Sequence, residues 1–152
     1  MKTLLHQADK EEILRRLDSI QPTSQRRWGS MSAHNMICHL SDAFRLYMGE
    51  RPAKPGPVPA PRLLMKWFAL WAPIPWPHGF RTAPELDQQS GGTPPVEFAA
   101  DKKELYELIE RFTRRPADSP RRAHPHLGSM SEREWNRLAY LHADHHLRQF
   151  GA

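Results

Sequence analysis

At 152 residues, with 39% hydrophobic and 26% charged side chains, the chain has the size and balance of one globular domain able to bury a core. Its net charge of +5 comes from 22 Lys+Arg against 17 Asp+Glu. The arginine pairs Arg15-Arg16, Arg26-Arg27, Arg114-Arg115 and Arg121-Arg122 fall at helix ends and in loops, not on one face laced with aromatics, so no nucleic-acid partner is expected.

A single cysteine, Cys38, excludes an internal disulfide and favours a reducing compartment. The opening Met1-Lys2-Thr3-Leu4-Leu5-His6-Gln7 turns polar too soon for a secretory signal, so a cytoplasmic location is expected. The longest apolar stretch, Leu63 to Trp76, is broken by Lys66, Pro73 and Pro75 and falls short of the ~20 residues a membrane span needs.

Four segments carry helical periodicity behind start signals. The first runs from Asp9, where Asp9 and Glu12 are spaced as a capping box, to about Ile20, with Ile13, Leu14, Leu17 and Ile20 on one face. The second runs from about Ser32 to Met48 on a stripe of Met36, Leu40, Ala43, Phe44 and Tyr47, and Gly49 stops it. About fifty residues follow, Glu50 to Ala100. Eleven of the chain's 15 prolines lie between Pro52 and Pro95, which rules out a run of regular helix there. One short helix, Leu63 to Trp71, is predicted inside this segment. Its aromatics Trp67, Phe68, Trp71, Trp76 and Phe80 are expected to pack over the helices. The third main helix begins at Asp101, boxed with Glu104, and runs to about Arg114. The fourth begins at Ser131, boxed with Glu134, and continues to about Gln149. No segment alternates as a strand does. An all-α bundle with one long crossover is the simplest architecture.

A tetrapeptide recurs. Gly29-Ser30-Met31-Ser32 and Gly128-Ser129-Met130-Ser131 each open a helix that bears histidine. Such a sequence suits any helix entry. His39 lies seven positions past Ser32 and His142 eleven past Ser131, a difference of about one turn, so the two rings leave their helices in similar directions.

The strongest chemical signal is His142-Ala143-Asp144-His145-His146. His142 and His146 are one turn apart and continue the inward stripe of Trp135, Leu138 and Ala139. Two imidazoles thus occupy positions where a bundle wants leucine. Burying them unpartnered is unfavourable, and burying them as cations is worse; a metal ion removes both difficulties. In the second helix His39 sits beside Met36 and Ala43, on or beside the inward face, and completes a three-histidine set. His145 points further round and is a second-choice ligand. His124 and His126, just before the fourth helix, read as loop residues, with a place flanking the site mouth as the alternative, and His34, five residues before His39, faces elsewhere. Cys38 projects about 100° from His39 and reads as packing.

These residues also resemble a known family. Arg27-Trp28-Gly29-Ser30-Met31-Ser32 through Cys38-His39-Leu40-Ser41-Asp42, together with His142 through Gly151, are similar to the DinB/YfiT-like metalloenzyme superfamily and, within it, to a bacterial branch of unknown function. Pro75-Trp76-Pro77, Thr82-Ala83-Pro84-Glu85 and His124-Pro125 are further matching pieces. The resemblance implies an up-down-down-up four-helix bundle whose ligands, carried over by position, are His39, His142 and His146, holding zinc, nickel or a similar divalent ion. It also implies thiol-dependent transferase, hydrolytic or isomerising activity in some members, and homodimers in many. Leu147 stands between His146 and Arg148, a departure from the family's pattern that leaves the role of Arg148 open.

Three protein nitrogens leave a coordination position for water or substrate, the layout of a catalytic site. Hydrolysis calls for a general base, with Asp42, Glu134 and His145 the candidates; Asp42 is equally suited to partner an imidazole N–H. Thiol transfer calls for a low-molecular-weight thiol oriented by basic residues such as Arg148. Two other classes stay open: a metal-binding protein without turnover, and a metal-free interaction module or peripheral membrane binder using Leu63 to Trp76.

Overall fold

The first turn of each helix shows how the chain sets its elements. The computed structural model describes residues 1–52, 54, 60–79, 82–116 and 123–152; Phe80 and the Arg121-Arg122 pair lie outside them. Among the described residues the protein is all-helical, with five α-helices: α1 (Gln7–Asp18), α2 (Ala33–Tyr47), α3 (Arg62–Trp71), α4 (Phe98–Thr113) and α5 (Glu132–Gln149). A 3₁₀ turn, Pro84–Leu86, lies between α3 and α4.

Helix α5 starts on the expected capping box: the Ser131 hydroxyl accepts from the Glu134 amide, and the Glu134 carboxylate accepts from the Ser131 amide at 2.7 Å. Ser32 caps α2 through the Asn35 amide. Both caps follow a glycine in the left-handed region, Gly29 at φ 75° and Gly128 at φ 73°, so the recurring tetrapeptide is a shared helix entry.

The other two starts differ from the sequence expectation. Helix α1 begins at Gln7, two residues before Asp9, and the Asp9 carboxylate reaches back to the Thr3 amide at 2.9 Å and to the His6 ring at 3.3 Å. Helix α4 begins at Phe98, where Glu97 takes the Ala99 and Ala100 amides. A glutamate can reach two amides from the cap, which leaves Asp101 in the first turn with its carboxylate committed elsewhere.

The core lies where α2 packs on α4, while α5 meets α1, α2 and α3. Met36, Ile37, Leu40, Ala43 and Phe44 of α2 are buried with Leu105, Leu108, Ile109 and Phe112 of α4. The Phe44 and Phe112 rings meet edge-to-face at 5.4 Å. Trp135 is 2% exposed, and burying each of the Leu, Ile, Met and Phe side chains around this core is worth roughly 1.5–3 kcal/mol. On the outer side of α5, Arg16 of α1 donates to Asp144 at 2.7 Å and to the carbonyl of Ala152, tying the C-terminal turn down.

The segment between α2 and α4 is anchored by a buried carboxylate. Asp42 is fully buried; its Oδ1 accepts from Arg45, Arg51 and the Thr93 hydroxyl, and its Oδ2 from Gln88 and the Thr93 amide. Arg51 also donates to the Glu85 carbonyl at 2.8 Å. These contacts place the 3₁₀ turn against α2. Helix α3 buries Leu70 and pairs Lys66 with Glu134 at 2.9 Å, leaving Leu63, Leu64 and Trp67 exposed. No described helix is long and apolar enough to cross a membrane.

Candidate metal centre

Helices α2 and α5 bring His39, His142 and His146 together. His39 Nε2 lies 3.0 Å from His142 Nε2, and His146 Nε2 lies 3.2 Å from the same atom. Tetrahedral zinc with Zn–N bonds of ~2.0–2.1 Å sets its ligand nitrogens roughly 3.3 Å apart, so the spacing already matches a shared cation. The three form a group that could hold a metal ion, with His39 and His146 buried and His142 partly so.

The other nitrogen of each ring has its own partner, and these partners decide the tautomers. His39 Nδ1 lies 2.9 Å from the carbonyl oxygen of Leu86, an acceptor only, so Nδ1 carries the hydrogen and Nε2 offers its lone pair. His146 Nδ1 lies 2.9 Å from Gln149 Oε1. The amide of Gln149 cannot be turned over, because its Nε2 donates to the Trp28 carbonyl at 2.9 Å. His146 Nδ1 therefore donates as well. His142 Nδ1 lies 2.7 Å from the Tyr47 hydroxyl, which can either give or accept. Two inward nitrogens are fixed as lone pairs facing a third at hydrogen-bond distance. Outer partners of this kind fix ring orientation and raise ligand basicity in metal sites.

Burial holds these rings neutral. Desolvation lowers the pKa of His39 against the opposing Leu86 hydrogen bond and the charges of Asp42 and Asp87, and lowers those of His142 and His146 well below the ordinary imidazole range, where neighbouring histidines add to the effect. Burial raises the Tyr47 hydroxyl, so it stays protonated.

Chain geometry explains how Gln149 arrives. The Arg27 amide donates to the Gln149 carbonyl at 2.7 Å, so the segment before α2 lies along the end of α5. Gly29 permits the approach: its φ of 75° is strained for any L side chain, and a Cβ there would stand 2.8 Å from the Gln149 amide nitrogen. The Arg-Trp-Gly and Gln-Phe-Gly stretches, distant in sequence, meet beside His146.

Aromatic rings wall the group. His145 stands 5.2 Å from the His146 ring and near Trp28, Trp76 and His78, and Trp76 stands 5.9 Å from His142. Trp28 and His78 stack at 4.0 Å. Burial and the nearby Arg148 push the His145 pKa down to about 4. Its Nδ1 and the Trp28 indole nitrogen are buried with no hydrogen-bond partner among the described residues.

The remaining candidates sit apart. The Asp42 carboxylate is filled by the five donors named above. Glu134 closes its capping box and pairs with Lys66, two turns or about 12 Å along the axis from His142. Arg148 donates to Asp144 at 3.0 Å. His124 accepts the His126 and Leu127 amides on Nδ1, pairs backbone with Gly128, and is pushed to about 4 by burial. It holds the turn before α5.

Sequence reasoning missed the outer partners. Gln149 is three residues past His146 and Tyr47 eight past His39, both legible as helical spacing, whereas a backbone carbonyl such as Leu86 leaves no side-chain signal. The family model described as "Protein of unknown function (DUF1569)" matches residues 2–152. No curated protein and no solved structure matches the chain.

Proposed function

This chain belongs to the DUF1569 family, whose description names no activity, and from its own side chains we propose a divalent-metal enzyme built on His39, His142 and His146. One observation carries the reading: three imidazole nitrogens converge within 4.8 Å while outer hydrogen bonds fix two of them as lone pairs. Without a cation a single hydrogen on His142 Nε2 is shared between the two fixed lone pairs, whereas a divalent ion takes all three nitrogens as ligands. Zinc or nickel suits an all-imidazole set. When bound, such an ion supplies Lewis-acid chemistry to whatever enters its remaining position, water or a substrate thiol.

The protein's own groups do the rest. The Leu86 carbonyl, Tyr47 and Gln149 hold the rings. Trp76, His78 and Trp28 keep bulk water away on one side. His145 Nδ1 and the Trp28 N–H are the polar atoms left to orient a substrate, and His145 is the group placed to take or return a proton. Hydrolysis and thiol-dependent transfer both fit this constellation. The fold proposed around it is an up-down-down-up four-helix bundle of α1, α2, α4 and α5, of the DinB/YfiT-like kind, with α3 in the crossover.

Elemental analysis of purified protein tests the site: the metal content is expected to fall by about one ion per chain in His39→Ala and in His142→Ala. Metal-free wild type after purification in zinc- or nickel-supplemented buffer overturns it. Screening the loaded protein with ester, amide and phosphate substrates, and with thiols plus electrophiles, tests catalysis. Silence across both sets with metal bound reduces the protein to a metal binder.

A further inference from the structure

Helix α2 carries a second set of metal-ligating side chains on another face. His34 and Cys38 stand one turn apart, and both project well away from His39. Asp101, in the first turn of α4, reaches across to them. Its Oδ2 lies 2.7 Å from His34 Nε2 and 3.7 Å from Cys38 Sγ, and ligand atoms of all three fall within 4.8 Å of one another.

We propose that His34, Cys38 and Asp101 form a second divalent-cation site, separate from the three-histidine group and best suited to zinc. The donor set supports this first. Thiolate, imidazole and carboxylate are the ligands zinc combines, and the thiolate and carboxylate together carry the two negative charges that neutralise a dication in a half-buried place. Spacing supports it next. Zn–N, Zn–O and Zn–S bonds of ~2.0–2.3 Å in tetrahedral geometry set ligand atoms roughly 3.3–3.6 Å apart, and the two observed separations bracket that range.

The ligands are also held in place. The Val96 amide donates to Asp101 Oδ2 at 3.0 Å, the Phe98 ring meets the His34 ring edge-on at 5.4 Å, and Cys38 is buried on a rigid helix. Without a cation three donors converge on one carboxylate oxygen. His34 and Asp101 keep side-chain exposures of 24% and 17%, which leaves a side open for entry and for a fourth ligand from solvent. Loading from a neutral imidazole releases one proton per ion: the thiol hydrogen leaves to solvent, and the ring hydrogen moves from Nε2 to Nδ1.

Cobalt(II) titration of the whole chain tests this, independently of the three-histidine reading. Cys38 is the only cysteine, so any thiolate-to-cobalt charge-transfer band reports on it, whereas an all-histidine site gives ligand-field bands alone. A charge-transfer band that is complete within two equivalents, because the three-histidine group also takes cobalt, and that is reversed by zinc, is expected. His34→Gln and Asp101→Asn, which keep volume and polarity, are each expected to weaken it at least tenfold while ligand-field bands from the other site persist. Absence of the band in wild type overturns the proposal. So does a band unchanged in both variants, which makes Cys38 a ligand without its two neighbours.

Discussion

Gln149 offers the sharpest test of how the histidine group is held. Gln149→Leu removes the acceptor of His146 Nδ1–H at 2.9 Å and the donor to the Trp28 carbonyl, while the Arg27–Gln149 backbone bond stays. His146 is 9% exposed, so its orphaned N–H costs about 1–3 kcal/mol. The ring escapes part of that cost by moving the hydrogen to Nε2, the atom that faces His142. Metal affinity then falls by about 10–100-fold, as for other outer-partner losses, which is about 1.4–2.7 kcal/mol. Gln149→Glu separates the two roles: it keeps an acceptor for Nδ1–H but sets a carboxylate against the Trp28 carbonyl. It is expected to destabilise the metal-free protein while holding affinity within about threefold of wild type or raising it. Competition against a chromophoric chelator gives affinity, and urea unfolding of the metal-free proteins gives stability. If folded Gln149→Leu binds zinc as tightly as wild type, Gln149 does not set the His146 tautomer and the argument for two fixed lone pairs fails.

Tyr47→Phe leaves His142 Nδ1 unpartnered and is expected to cost about tenfold in affinity in the same assay. The double variant Tyr47→Phe/His142→Leu removes both partners at once; its metal-free form is expected to unfold at a urea concentration equal to or above that of wild type, with no metal bound. Acidification follows from the lowered imidazole pKa values: protons compete for the ring nitrogens only as pH falls through those depressed values, so metal is retained at the ordinary ~6.5 and above and is lost only well below it. Dialysis at stepped pH checks this, and release already at or above ~6.5 contradicts it. Asp42→Asn strands Arg45 and Arg51 around a buried neutral amide and is expected to cost about 3–5 kcal/mol by urea unfolding.

How much of this was legible depended on which atoms carried the information. Helices with side-chain caps and clear apolar stripes, α2 and α5, were placed to within a residue, because Ser32 and Ser131 are unambiguous caps. The starts of α1 and α4 were not, because an acidic residue near a helix start can cap it, lie in its first turn or reach past it. Asp101 does the last of these and joins His34 and Cys38, a use that spacing along one helix cannot reveal. The His142 and His146 pair was legible because helical period alone sets it. The link to His39 required two helices to meet, and it rested on the inward place of His39 beside Met36 and Ala43, the likeness of the two helix entries and the family resemblance. The 3₁₀ turn at Pro84–Leu86 was invisible as a functional element, since it contributes a carbonyl, and Asp42 read as a possible base because burial by five donors has no signature in the chain.

The histidine group also shows why local rules fail where chemistry is placed. Leucine at positions 39, 142 and 146 would extend stripes that Met36, Ala43, Leu138 and Ala139 already define, with each buried side chain worth roughly 1.5–3 kcal/mol. The chain instead carries three imidazoles that burial keeps neutral, and spends a tyrosine hydroxyl, a glutamine amide and a backbone carbonyl on their outer nitrogens. Those partners satisfy the outer nitrogen of each ring, and inside the group one His142 hydrogen is shared between the lone pairs of His39 and His146. The inner nitrogens are left aimed at one another at 3.0 and 3.2 Å, an arrangement that packing alone does not reward. A residue set that lowers stability at its own positions, yet is oriented atom by atom by surrounding groups, is organised around something that binds there. That inference needs no homologue, because it rests on the outer partners that turn the inner nitrogens of His39 and His146 toward a third imidazole.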